Sequence, residues 1–144
     1  MSTINWTRLI IAGLVATILC FFSDGFLHEQ LTKTDWEAVY RGLHAPLPTE
    51  EHGIALAYFL LFEIGRGFVA MILYVLMRPI FRPGPKTAIL AAVVAWFAFS
   101  FTGPAQFIPL GFYSHALWMK VGAWQLMTSM ISTIAGAAIY KERS

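Results

Sequence analysis

The sequence predicts an all-α membrane protein, an antiparallel four-helix transmembrane bundle with a short interfacial helix in its first periplasmic loop. Three observations lead there. Of the 144 residues 58% are hydrophobic and only 12% charged, against roughly 25% charged in an ordinary soluble domain. Apolar runs recur four times, each near the length of about 20 residues that a hydrocarbon core demands. The basic residues concentrate in the segments that an inside-positive topology keeps in the cytoplasm.

The first run gives a span over about residues 6–27. It resembles a signal-peptide core, but no small-residue cleavage site follows; the chain instead meets Phe21-Phe22-Ser23-Asp24-Gly25-Phe26-Leu27, so an uncleaved span is expected. Residues His28 to His52 carry most of the polarity, with Pro46 and Pro48 bounding any helix there. Within this loop Thr34, followed three residues later by Glu37, forms a capping-box pattern, which predicts a short helix carrying Trp36 and Tyr40.

The second span is expected over 54–77. Arg78 to Lys86 combines three prolines, a glycine and three basic residues, so a cytoplasmic turn is expected from Pro79 onward. The third span, 87–103, meets Gly103-Pro104, which predicts a kink or unwinding from about Ser100. Backbone freed there needs partners within protein or a wet cavity. The fourth span, 115–140, places Thr128, Ser132 and Gly136 four apart on one face, a pattern for close helix packing.

Orientation follows from charge. Arg78, Arg82 and Lys86 occupy the central turn, and Lys141 and Arg143 the tail, whereas Asp24 through His52 holds six acidic against two basic residues, net −4. Both termini are therefore expected in the cytoplasm, with Trp6 and Tyr140 at the inner interface and Tyr113 and Trp118 at the outer one.

Charges inside spans are costly and are functional candidates by default. By helical rise, Glu63 lies about 14 Å and Arg66 about 18 Å below the outer end of the second span, and Lys120 about 8 Å down the fourth. With Asp24, Gln106 and Gln125 they define an expected intramembrane polar layer. Glu63 and Arg66, three apart, face one side of their helix; they read either as an internal ion pair or as an anion site at Arg66. Asp24 and His28, four apart, share a face and with His115 are candidate metal ligands, to which His44 or His52 would add. The alternative is that such histidines turn their polar tips to water.

Several classes are excluded or unsupported. Basic residues do not interleave with aromatics in a polar segment, so no nucleic-acid footprint is present. The single cysteine, Cys20, permits no internal disulfide and no zinc motif. Ser23, Ser100, Thr102 and Ser129 lack a base at a diagnostic spacing, and no nucleotide loop or cofactor signature is legible. No catalytic or cofactor residue is assigned.

The Ser23-Asp24-Gly25-Phe26-Leu27-His28 end of the first span, the Phe62-Glu63-Ile64-Gly65-Arg66-Gly67 stretch and the Thr102-Gly103-Pro104 break resemble small bacterial four-helix integral membrane proteins of unknown function. The resemblance covers the architecture of the whole chain. It implies a bacterial inner (cytoplasmic) membrane location and brings no activity with it.

One integral membrane domain, residues 1–144, is thus expected, in contact with the lipid bilayer. The first functional expectation is a non-enzymatic subunit or intramembrane partner of a larger assembly or homo-oligomer, docking through Thr128, Ser132 and Gly136. The second is an oligomeric transporter or channel using the polar layer, and the third a metal-dependent membrane enzyme around Asp24 and His28.

Overall fold

The computed structural model describes residues 4–45 and 52–141. Pro46, Pro48, Glu50, Glu51 and Arg143, together with the side chain of His52, lie outside it. The described residues are helical, without a strand, and run in order through α1 (Trp6–Phe26), α2 (Lys33–Gly42), α3 (His52–Phe81), α4 (Pro85–Ala95), α5 (Thr102–Ala105) and α6 (His115–Ile139). Two π-helical segments interrupt them, Leu27–Leu31 after α1 and Trp96–Phe101 after α4. Three continuous helices are long and apolar enough to cross a membrane: Trp6–Leu31, Gly53–Phe81 and Pro85–Ala105.

Each long helix buries one stripe at the spacing of a helix face. On α3 the stripe is Glu63, Arg66, Ala70, Met71, Tyr74 and Val75, and on α4 it is Thr87, Ala88, Ala91, Ala92 and Ala95. α1 packs on α3 and α6, and α4 packs across the same pair. Contacts set the directions. On α1 and α6, Asn5 meets Tyr140, Cys20 meets Ser132 and Ser23 meets Thr128, so these helices run antiparallel. The remaining faces are apolar and open, as at Ile10, Leu14, Ile18 and Phe22 on α1, and Leu56, Leu61, Ile72 and Leu76 on α3. Open apolar surface on every long helix suits lipid and not water.

α6 is comparable in length but less apolar in composition, because its buried stripe includes Gln125, Thr128, Ser129, Ser132, Thr133 and Gly136. Outward it presents Met119, Met127 and Ile131. At the end of the molecule that holds the chain termini, Leu9, Ala12, Ala16, Met71, Tyr74, Val75, Ala88, Ala91 and Tyr140 form the apolar core. There the helices touch at their backbones: a Cβ on Gly136 would lie 2.9 Å from Ala12 O, and one on Gly67 would lie 2.8 Å from Thr17 N.

Four expectations about the elements change. The second helix does not stop at Met77 but runs through Pro79 to Phe81; a proline two residues from a helix end forfeits one backbone bond without having to redirect a long segment. The turn thus shrinks to Arg82-Pro83-Gly84, with positive φ at Arg82 (66°) and Gly84 (147°). Thr87 Oγ1 lies 2.6 Å from Arg82 O and 3.2 Å from Phe81 O, satisfying the carbonyls at the end of α3. The third span does not unwind at Ser100. Its backbone widens into the π segment, passes Gly103-Pro104 in one α turn, α5, and only then breaks into turns. The capping box at Thr34 is not used: α2 starts at Lys33 with Thr32 as its cap residue, and the Thr32 hydroxyl donates to Leu27 O at 3.1 Å. The preceding π segment feeds the chain directly into α2, which fixes the junction two residues early. Tyr140, placed at an interface by the sequence, is buried at 4% exposure under the Arg78 guanidinium, 4.9 Å from its ring centre.

Candidate functional site

The end of the molecule opposite the termini is built around three buried ionic side chains. Asp24 stands in the last turn of α1, Glu63 and Arg66 lie one turn apart on α3, and Gln125 faces them from α6. Arg66, 1% exposed, places Nη1 2.8 Å from Asp24 Oδ2 and Nη2 3.0 Å from Glu63 Oε2. Gln125 Nε2 donates to the same Asp24 Oδ2 at 2.7 Å. The guanidinium therefore sits between two carboxylates, an arrangement that Arg's planar fork favours. Asp24 Oδ1, by contrast, has no hydrogen-bond partner among the described residues, and neither has the buried Ser100 Oγ.

A second polar set runs from there toward the termini along the contact of α1 with α6. Trp124 Nε1 donates to Ser23 Oγ at 3.0 Å, Ser23 Oγ lies 2.7 Å from Thr128 Oγ1, and Cys20 Sγ donates to Ser132 Oγ at 3.2 Å.

Above the ionic cluster lies a cavity of about 690 Å³ whose lining includes Asp24, Glu63, Gln125 and Ser100. Its size falls in the range of about 300–1,000 Å³ typical of small-molecule sites. Its walls are mainly aromatic, with Phe59 and Phe62 from α3 and Trp118 from α6, and α2 crosses the mouth with Trp36 and Tyr40. Several contacts hold this frame. The His28 ring lies between Trp36 and Phe59, 5.4 and 5.5 Å from their centres. Phe101 stacks on Trp118 at 4.2 Å, and Trp118 Nε1 donates to Phe101 O at 3.1 Å. Trp96 Nε1 donates to Gly122 O at 2.9 Å. Tyr113 donates its hydroxyl to Pro104 O and meets Trp36 edge-on. The indole and phenol donors thus take up carbonyls of the π segment, α5 and α6. Burial raises the Tyr40 and Tyr113 phenols above the usual tyrosine range, so both stay neutral at the mouth.

Of the six residues expected in a polar layer, Asp24, Glu63, Arg66 and Gln125 come together. Gln106 and Lys120 do not. Gln106 is exposed beyond α5 and donates to Gly103 O at 2.9 Å. Lys120 Nζ lies 2.6 Å from Asp35 Oδ2, with both side chains well exposed, and ties α6 to α2. Depth alone could not separate them: five residues from Lys120 to Gln125 carry the chain about 140° around the helix. Arg66 does not line the cavity; of the two readings of Glu63 and Arg66, the geometry is that of the internal ion pair. Asp24 and His28 both line the cavity, whereas His115 is exposed at the start of α6. Among the described residues no three His, Cys, Asp or Glu side chains gather in a metal-binding arrangement.

Thr128, Ser132 and Gly136 do form one face, but it is spent inside the chain. Thr128 meets Ser23, Ser132 meets Cys20, and Gly136 lies against Met71 and Ala12. Sequence reasoning missed Ser100 and the cavity walls. Tyr113 and Trp118 read as interface aromatics, and only a count of aromatics from separate segments at one depth would have signalled a chamber.

Comparison with family models, curated proteins and solved structures yields no match for this chain.

Proposed function

We propose that this chain is a four-span bacterial inner-membrane protein that binds a small amphipathic molecule in the cavity under α2, as the binding element of a transport process. The observation that carries the reading is a drug-sized aromatic cavity floored by a buried ion cluster, where Asp24 Oδ1 and the neighbouring Ser100 Oγ lack partners among the described residues. Buried polar oxygens are ordinarily satisfied, and a ligand that donates hydrogen bonds there would satisfy them.

Two features support four spans with α2 on the periplasmic side. α6 turns its polar stripe inward and an apolar face outward, so its composition understates its fitness for lipid. Arg8, Arg78, Arg82, Lys86 and Lys141 lie at the end that carries the termini, against Lys33, Arg41 and Lys120 at the α2 end, an excess in the direction expected for cytoplasmic termini. The assembly role expected from the small-residue face loses its motive, since that face is occupied within the chain.

The test is a thermal-unfolding panel in detergent, with amphipathic compounds of the cavity's size bearing cationic, neutral or anionic heads. Val121 lines the cavity without joining the ion cluster, so Val121→Trp fills the space and leaves the floor intact. At least one compound class is expected to raise the unfolding midpoint of the unaltered chain and not that of Val121→Trp. No shift with any class, or equal shifts in both proteins, overturns the proposal.

A further inference from the structure

We infer that the cavity selects an organic cation, a protonated amine on an aromatic or alkyl body, with the ammonium held at Asp24. This rests on the cavity being a ligand site and adds the chemistry of what it takes.

The first argument is charge. Among the described residues, the acidic ones that line the cavity are Asp24, Glu29 and Glu63, and no Lys or Arg lines it. The neighbouring cation, Arg66, is withdrawn behind the floor, with one nitrogen on each carboxylate. Two buried carboxyl groups share one guanidinium, so the floor has one acid more than it has bases. An anion would meet carboxylates at the surface and find the guanidinium already engaged.

The second argument is hydrogen bonding. Asp24 is 4% exposed and lines the cavity; its Oδ2 takes both Arg66 and Gln125, and its Oδ1 takes no donor among the described residues. Ser100, 3% exposed, lines the same space with its hydroxyl unused. An ammonium has up to three donors and no acceptor, which complements two buried oxygens, Asp24 Oδ1 and Ser100 Oγ, that take no donor among the described residues. A charged donor to a carboxylate also makes the stronger kind of hydrogen bond.

The third argument separates an organic cation from a metal ion. The described residues offer no cluster of three ligating side chains, while Trp36, Tyr40, Phe59, Phe62, Tyr113 and Trp118 surround the space. Aromatic faces attract cations whose remaining surface is apolar, as in the cages that hold alkylammonium groups.

The experiment compares three probes of one skeleton on the unaltered full chain in detergent: 4-phenylbutylammonium, 4-phenylbutanol and 4-phenylbutyrate, read by quenching of tryptophan fluorescence. The ammonium is expected to bind at least tenfold more tightly than the alcohol and the butyrate most weakly. In Asp24→Asn the ammonium should fall to the affinity of the alcohol. If the alcohol or the butyrate binds as tightly as the ammonium, the cavity stands as a ligand site and the cation assignment is overturned. If none of the three binds, and the wider panel also fails, the cavity reading itself is lost. The probe comparison needs no variant, so a failure of Asp24→Asn to fold leaves the test intact.

Discussion

The two ends of this helix packing are made from different side chains, and they behave as different materials. Near the termini the contacts are Ala12, Ala16, Gly67, Ala88, Ala91 and Gly136, so backbones approach closely and no room remains. At the α2 end the same helices present Phe59, Phe62 and Trp118 to a chamber over the ion cluster. In lipid, where apolar surface gains nothing by leaving solvent, close packing and interhelical hydrogen bonds are what join helices. One end spends its residues on closeness and the other on a lined space.

Substitutions can break that contrast, and they rank by the desolvated charge or the volume they disturb. Arg66→Met leaves Asp24 and Glu63 buried without their cation. A loss of about 3–5 kcal/mol is expected, as for other broken buried ion pairs, measured by reversible unfolding in mixed micelles; a loss under about 1 kcal/mol would mean that the cluster is open to water. Gly136→Leu comes next, at about 3 kcal/mol from overpacking. Its Cβ alone would stand 2.6 Å from Met71 Sδ and 2.9 Å from a backbone carbonyl. The expected signature is a destabilised monomer and not a dispersed oligomer; a lower oligomer at unchanged unfolding midpoint would return this face to an assembly role. The smallest effect belongs to Lys120→Gln, which removes an exposed bridge worth about 0–1 kcal/mol. Since that bridge ties α2 to α6 over the mouth, exchange of a bound probe should quicken while the unfolding midpoint hardly moves.

These contrasts also show what was readable beforehand. Three of the apolar runs, now helices long and apolar enough to cross a membrane, and the pairing of Glu63 with Arg66 followed from length and helical period, because both are properties of a single helix. Membership of the site was less readable. Asp24 and Gln125 joined Arg66 while Lys120 and Gln106 did not, and the distinction rests on angle about the helix and on where α5 ends. The inward use of Thr128, Ser132 and Gly136 was hidden for a related reason: spacing defines a face and says nothing of whether the neighbour across it belongs to the same chain. Pro79 misled because its cost depends on how far the helix continues beyond it.

The two π-helical segments, Leu27–Leu31 and Trp96–Phe101, both lie beside the cavity. A π turn holds more residues than the α turn it replaces, and such turns recur at functional sites. Counting, and not only chemistry, therefore decides where Trp36 ends up. Deleting one residue from Leu27–Leu31 would take out the residue that the wider turn absorbs and leave α2 over the mouth, whereas inserting one more would swing everything beyond it by about 100°, carrying α2 off the mouth with every wall residue still encoded. The same insertion among Leu43–Ala45, after α2, would leave Trp36 where it is. At this junction chain length is itself a determinant of the site.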